Sequence, residues 1–300
     1  MTVLHDLATR DGRSRRPVLV DPDLQAAFER RGHVVVDLLD ADEVARLVDA
    51  YATAADGPDG VNAPGAYDDT YAEFTVIHSR PAFRREAYAA IEQTVGPRAR
   101  DLLVDYRPLV GQFVNKPPGT GVVPAHQNWS VVDEARYQSV SVWVALVDCT
   151  VDNGTLLLAD GSHRGLRGRR GMWAYEAFGA IEAELVEALL SPVEVRAGQA
   201  IVLDDATVHY SSPNRGTQRR LAIQYVMVPI EADALFFQEV GTADGRLEVD
   251  VWRVEPEFFF DFWHGDGDPA HGEVVERIEI ERPIYDLATL RDLIDPREHP

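Results

Sequence analysis

The second half of the chain most limits what it can fold into. From residue 102 onward, LVGQFVN, QSVSVWVALV, TLLLA, PVEVR, AIVL and RRLAIQYVMVPI are short β-branched or aromatic segments separated by Gly, Pro, Asn and Asp. Many short strands bounded by turn signals imply a sandwich or barrel rather than a parallel sheet. Residues 173–190, WAYEAFGAIEAELVEALL, interrupt this series with a helical pattern. The first hundred residues read differently. DLQAAFERR at 23–31 predicts a short helix closed by Gly32, followed by the strand HVVVDLL. Asp40 and Glu43 have the spacing of a capping box ahead of VARLVDAYATAA. Residues 55–70 form a turn-rich loop, and 81–94 a further helix with Pro97 near its end. No internal repeat or convincing linker divides the 300 residues. The expectation is therefore one mainly β domain over 1–300 with flanking helices: a helical part at about 22–100, a β core at about 102–230 and a C-terminal extension at 231–300.

An apolar fraction of 45% is ample for a buried core. The formal charge of -21, with pI near 4.7, disfavours nucleic acid and anionic membrane as partners, because both need a positive field. The single cysteine, Cys149, lies in the apolar run SVSVWVALVDC, excludes an internal disulfide framework and reads as a buried, inert thiol. No apolar run approaches membrane-spanning length and no apolar stretch follows the N-terminal arginines, which points to a cytoplasmic protein.

Chemistry concentrates in 124-PAHQNWSVVDE-134. On an extended strand residues i and i+2 share a face, so His126 and Asn128 point one way and Gln127 the other. His209, in DDATVHYSSPN, lies 83 residues on and ends another β-like run. A histidine, a carboxylate two residues later and a distant histidine form the facial triad of non-haem Fe(II), which leaves positions open for a chelating 2-oxo acid and O2. Arg220, eleven residues beyond His209, offers a guanidinium fork for the far carboxylate of such an acid, and Ser211 a hydroxyl.

The ordered motifs NKPPGTG at 115–121, HQNW, WVALVDCTVDNGTLLLADGSHRG and HYSSPN with a trailing RRLAI resemble the phytanoyl-CoA dioxygenase family of Fe(II)- and 2-oxoglutarate-dependent oxygenases. The resemblance covers roughly residues 22–230. It implies a double-stranded β-helix, that is, a cupin-like jelly roll with helices on its outer face. It also implies Fe(II), 2-oxoglutarate and O2 as cofactor and cosubstrates, with His126 and His209 as iron ligands, Arg220 as the carboxylate clamp, and Ser211 and Trp143 as neighbours of 2-oxoglutarate. Asn153-Gly154 carries over as a turn between core strands.

Asn128 departs from the family pattern, which has aspartate there. Asn128 can ligate through its amide oxygen, Asp133 or Glu134 can supply the carboxylate, two histidines and water can hold the metal as in related halogenases, or catalysis has been lost. The functional expectation is an oxygenase that hydroxylates, desaturates or cyclises a small or carrier-bound metabolite, plausibly in specialised metabolism. The alternative is a catalytically silent jelly-roll binding protein.

Substrate contacts are the thinnest part of the reading. Gln112, on a strand before the ligand segment, and Trp129, beside it, are candidate pocket residues. The loop 163-HRGLRGRR-170 carries four arginines, of which Arg167 is a candidate for an anionic substrate group. The aromatic run 257-EFFFDFWHGDGD-268 is a candidate lid, or, if exposed, a homodimer face. His264 and Asp266 within it form a second H-x-D match that lacks a suitable second histidine. His78 and His163 read as packed histidines.

Overall fold

The structure, a computed structural model, describes residues 16–55, 71–78, 80–261 and 271–294. The chain opens with helix α1 (Pro22–Arg31), strand β1 (His33–Asp37) and helix α2 (Ala41–Ala55). Asp21 caps α1 by accepting from the Asp23 and Leu24 amides, and Gly32 ends it at φ 86°. The Asp40–Glu43 capping box forms in both directions, Glu43 N–H to Asp40 Oδ1 at 2.8 Å and Asp40 N–H to Glu43 Oε2 at 2.9 Å. Strand β2 (Glu73–Phe74) precedes helix α3 (Pro81–Leu102). This helix does not stop near residue 94; it runs through Pro97. A proline there forfeits one helical hydrogen bond, but Ile91, Val95 and Ala99 on the same stripe are fully buried, and that packing holds the last turns together.

Eight strands and two short helices follow in the described β region and its insert: β3 (Tyr106–Lys116), β4 (Val123–His126), β5 (Val140–Ala145), β6 (Leu156–Leu158), α4 (Ser162–Gly165), α5 (Glu182–Leu189), β7 (Ser191–Val193), β8 (Gln199–Asp204), β9 (His209–Ser211) and β10 (Arg220–Pro229), then β11 (Leu235–Ala243), β12 (Arg246–Val254) and, after helix α6 (Phe258–Asp261), β13 (Gly272–Ile280). Helix α7 (Leu287–Ile294) ends the described chain. The stretch expected as one helix at 173–190 splits into two short 3-10 helices, Met172–Glu176 and Gly179–Ile181, before α5. Gly179 and the buried aromatic Phe178 favour this break over a continuous helix.

Two antiparallel sheets make the jelly roll. One runs β1-β8-β5-β10-β3-β2, the other β4-β9-β6-β7. Alternation along the central strands sorts the side chains. Val142, Val144, Val202, Ile223 and Tyr225 face helices α1–α3, whereas Trp143, Ala145, Ile201, Leu203 and Ala222 face the second sheet. The C-terminal extension forms a third sheet, β11-β12-β13. Its first hairpin turns through Asp244 and Gly245 at φ 50° and 80°, the positive pair that a two-residue turn between right-twisted strands requires. Phe258 and Phe259 of α6 pack with Val131, Val226 and Phe236, so this part of the aromatic run is buried rather than exposed. His264, Asp266 and most of the loop at 55–70 lie outside the described residues. Among the described residues no helix is long and apolar enough to cross a membrane.

Candidate active site

Strands β4 and β9 place the two histidines face to face. His126 and His209 are register partners, their rings 4.1 Å apart between centroids. Each ring is aimed by its own backbone: Nδ1 of His126 donates to the Pro124 carbonyl at 2.7 Å and Nδ1 of His209 to the Thr207 carbonyl at 2.9 Å. Both imidazoles therefore present Nε2 as a lone pair. Burial drives both pKa values down, that of His209 to about 4, and the neighbouring histidine adds to the effect at His126. Both rings are neutral at pH 7, the state a metal ligand needs. Tyr175, which the sequence did not single out, stacks on His126 with centroids 4.5 Å apart.

Strand β4 ends at His126, yet the alternation continues two residues further. Gln127 turns away from the cavity and donates to the Leu166 and Ala206 carbonyls. Asn128 shares the cavity wall with both histidines. Its amide is held at each end: Nδ2 donates to Asp205 Oδ1 at 2.9 Å and to Ser141 Oγ at 3.1 Å, while Oδ1 accepts from Gln224 Nε2 at 3.3 Å. Gln112 completes this polar strip, donating to Gln224 Oε1 at 2.6 Å across the β3–β10 ladder. Asp205 is 1% exposed, and burial pushes its pKa up to about 6 against the hydrogen bonds it accepts. Those hydrogen bonds come from the Ser139 and Ser141 hydroxyls and the Asn128 amide.

Arg220 opens β10 at 1% exposure, with Nε and Nη1 both unpartnered and its guanidinium 5.4 Å from the centre of the Trp143 ring. Ser211 lies on the same wall; its hydroxyl donates to the Gly154 carbonyl at 2.7 Å and accepts from Lys116 Nζ. Gly154 sits at φ 82° in the turn after Asn153, where an added Cβ would meet the Ser212 carbonyl at 2.3 Å. That turn supports the site as well as the fold.

His126, Asn128, His209, Ser211, Trp143, Arg220, Gln112 and Trp129 thus all border one cavity of about 580 Å³. Arg167 does not. It is buried against Asp204 in an ion pair, because the loop 163–170 turns Arg167 and Arg170 inward while Arg164 and Arg169 stay exposed. The proposed substitutes for a carboxylate at 128 are also engaged elsewhere. Glu134 is paired with Arg170, both almost fully buried, and the carboxylate of Asp133 accepts from the Ala135 amide in a turn. Asp205 and Lys116, like Tyr175, Ser141 and Gln224, were overlooked by sequence reasoning. The DD doublet four residues before His209 was the available signal, but nothing in the spacing says which aspartate turns inward.

Residues 28–222 match the family described as Phytanoyl-CoA dioxygenase (PhyH). Phytanoyl-CoA dioxygenase domain-containing protein 1 of Danio rerio is 24% identical over 238 residues, 67% of this chain and 81% of the relative. Among solved structures, the non-heme alpha ketoglutarate dependent carbocyclase SnoK from nogalamycin biosynthesis aligns with a TM-score of 0.53 at 18% identity, over 72% of this chain and 86% of its own. The epimerase SnoN, in complex with Fe3+, alpha ketoglutarate and nogalamycin RO, aligns with a TM-score of 0.51 at 20% identity, over 85% and 94%. These two likenesses establish the common jelly-roll fold. With the family match spanning helix α1 to strand β10, the chain belongs to the phytanoyl-CoA dioxygenase family, the Fe(II)- and 2-oxoglutarate-dependent oxygenases that its motif order resembles.

Proposed function

We propose that this protein oxidises a C–H bond of a free, largely apolar small molecule of specialised metabolism, using Fe(II), 2-oxoglutarate and O2. The observation that carries the proposal is the meeting, on one cavity wall, of two neutral imidazoles with available Nε2 atoms and a buried guanidinium with two unpartnered nitrogens. The donor set fits the groups the family uses. His126 and His209 would hold the metal with Asn128 beside them, and Arg220, with Ser211 and Trp143, would hold the cosubstrate's far carboxylate.

When bound, iron and 2-oxoglutarate supply an O2-derived oxidant able to remove hydrogen from an unactivated carbon, with succinate and CO2 as coproducts. The chain's own residues orient and enclose. Phe74, Val76, Val226, Trp129 and Phe259 give the cavity its apolar walls, which exclude water and fix the substrate carbon. The strip Gln112–Gln224–Asn128–Ser141 gives one wall a row of hydrogen-bonding groups for substrate hydroxyls or carbonyls. A free metabolite is favoured over a phosphorylated carrier arm because Arg167 and Arg170 spend their charge on Asp204 and Glu134. The named activities of SnoK and SnoN, carbocyclisation and epimerisation, support an outcome set by substrate placement after hydrogen removal, so hydroxylation, desaturation and ring closure are all within reach of such a site.

The test is an anaerobic titration with Fe(II) and 2-oxoglutarate, following the visible charge-transfer band of the chelate. A band in the wild type that disappears in His209→Ala supports the reading. No band in the wild type overturns it and leaves the silent binding protein.

A further inference from the structure

The proposed site has two neutral imidazoles and a neutral amide where a dication would sit, yet the cavity wall is not without negative charge. Among the described residues, two carboxylates border it. Glu176 is exposed and paired with Arg282. Asp205 is buried and in direct contact with the side chain at position 128, and the Ser139 and Ser141 hydroxyls support its charge. We infer that the carboxylate this metal centre needs is Asp205, acting through the amide of Asn128, so that the negative charge of the H-x-D motif has been moved from position 128 to position 205. The inference rests on the iron site proposed above and goes beyond it by naming which residue carries the charge.

Three observations support it. The first is the orientation of the amide. Because Asp205 Oδ1 can only accept, the group at 2.9 Å is Nδ2 of Asn128, and a charge-assisted hydrogen bond from an amide N–H makes its carbonyl oxygen a stronger donor. That oxygen is restrained only by the long 3.3 Å contact from Gln224, which a stronger partner displaces readily. The second is exclusion. An aspartate at 128 in this conformation would place two carboxylate oxygens in contact, in a buried setting where Ser141 has one hydroxyl proton and already gives it to Asp205 at 2.7 Å. Asn128 and Asp205 are therefore a matched pair, and the asparagine reads as the partner that the aspartate requires. The third is charge balance. A metal dication, the dianionic cosubstrate, the Arg220 cation and the Asp205 anion cancel, which a buried site favours. With asparagine at 128 and no Asp205 one positive charge would be left over.

Asp205 is thus a positioning residue, and its test reads metal affinity rather than turnover. Co(II), a redox-inert stand-in with visible absorption, is titrated into the full-length apoprotein, the isosteric variant Asp205→Asn and the exchanged variant Asn128→Asp/Asp205→Asn. Melting temperatures are recorded beside each titration, and His209→Ala marks binding at this site. Asp205→Asn is expected to weaken Co(II) binding by about ten- to a hundredfold, as loss of a partner behind a ligand does. The exchanged variant, which restores the family motif, is expected to recover wild-type affinity or better. An Asp205→Asn protein that binds Co(II) as the wild type does overturns the inference and leaves the metal site standing; so does an exchanged variant no tighter than Asp205→Asn. If Asp205→Asn does not fold, the exchanged variant is compared with the wild type instead, and a Co(II) affinity more than about tenfold weaker than the wild type overturns the inference. A wild type that binds no Co(II) overturns this inference and the iron site together.

Discussion

Lys116 and Arg220 stand opposite each other in the β3–β10 ladder, two basic side chains buried together with no carboxylate on either among the described residues. Lys116 Nζ lies within hydrogen-bond reach of the Ser211 and Ser212 carbonyls and the Ser211 hydroxyl. Burial, reinforced by the Arg220 charge, pulls its pKa down to about 5, so it is neutral at pH 7; burial alone lowers that of Arg220 to about 10, which leaves it charged. A guanidinium held in that state destabilises the empty protein and is relieved when an anion docks.

Replacing it should therefore separate stability from binding. Arg220→Met is expected to raise the melting temperature of the cosubstrate-free protein by several degrees, for a gain of about 1–3 kcal/mol, and to abolish the further rise that 2-oxoglutarate gives the wild type. Thermal melts with and without 2-oxoglutarate check both halves. A variant that melts lower than the wild type and still responds to the cosubstrate would assign Arg220 a structural role instead.

How far the sequence reached can be judged from particular residues. His126 and His209 were named from the order of the motifs and the family they resemble, since an H-x-N tripeptide alone has little specificity, and antiparallel pairing sets the two side by side. Glu134 and Arg167 were not legible. Their spacing suggested a ligand and a substrate contact, but the inward turn of Arg167 and Arg170 matched each with a buried opposite charge, a pairing across 36 or 37 residues that no local pattern encodes. Helix α3 outran its predicted end because tertiary packing outweighed the local penalty of Pro97. The sheet β11-β12-β13 shows alternation in LFFQEV and LEVDVWRV, but no motif in the sequence says what those strands pair with.

The Arg170–Glu134 pair yields a stability prediction. Both side chains are at 5% exposure or less, and the guanidinium also reaches the Asn128 carbonyl at 2.9 Å. Arg170→Met alone strands a buried carboxylate and is expected to cost about 3–5 kcal/mol. Arg170→Met/Glu134→Met is expected to recover most of that loss. Urea denaturation of the two variants measures the difference; equal losses would mean that the pair's contribution is packing alone.

Arg84 ties the far side of the cavity shut. Its Nε donates to the Phe260 carbonyl at 2.8 Å and its Nη1 to the His78 carbonyl, so one buried side chain joins α3 to α6. Phe259, the preceding residue, is part of the cavity wall. Arg84→Gln should loosen α6 while leaving the metal residues in place. Amide exchange at 258–261 is expected to speed up severalfold with Co(II) affinity unchanged. Unaltered protection of those amides would sink the idea that Arg84 is what holds α6.

Acid should unfold the protein partly through His163. This ring, 3% exposed, donates from Nε2 to the Glu29 carbonyl at 3.2 Å and packs against Gly32. Burial, with smaller contributions from Arg167 and Arg164 and against the pull of Asp204, lowers its pKa from 6.5 to about 4. The folded state thus binds the proton more weakly than the unfolded chain. The stabilisation is fully present above about pH 6.5, declines as pH falls toward 4, and is gone below it, a total of about 3 kcal/mol. His126 and His209 shift in the same direction, so the wild-type curve alone does not isolate His163. The difference curve does: urea midpoints of the wild type and His163→Gln, measured from pH 7.5 to 4, should converge as pH falls, because the glutamine has no proton to take up. Parallel curves across that range would mean that His163 takes up its proton equally in the folded and unfolded states, so that burial does not lower its pKa.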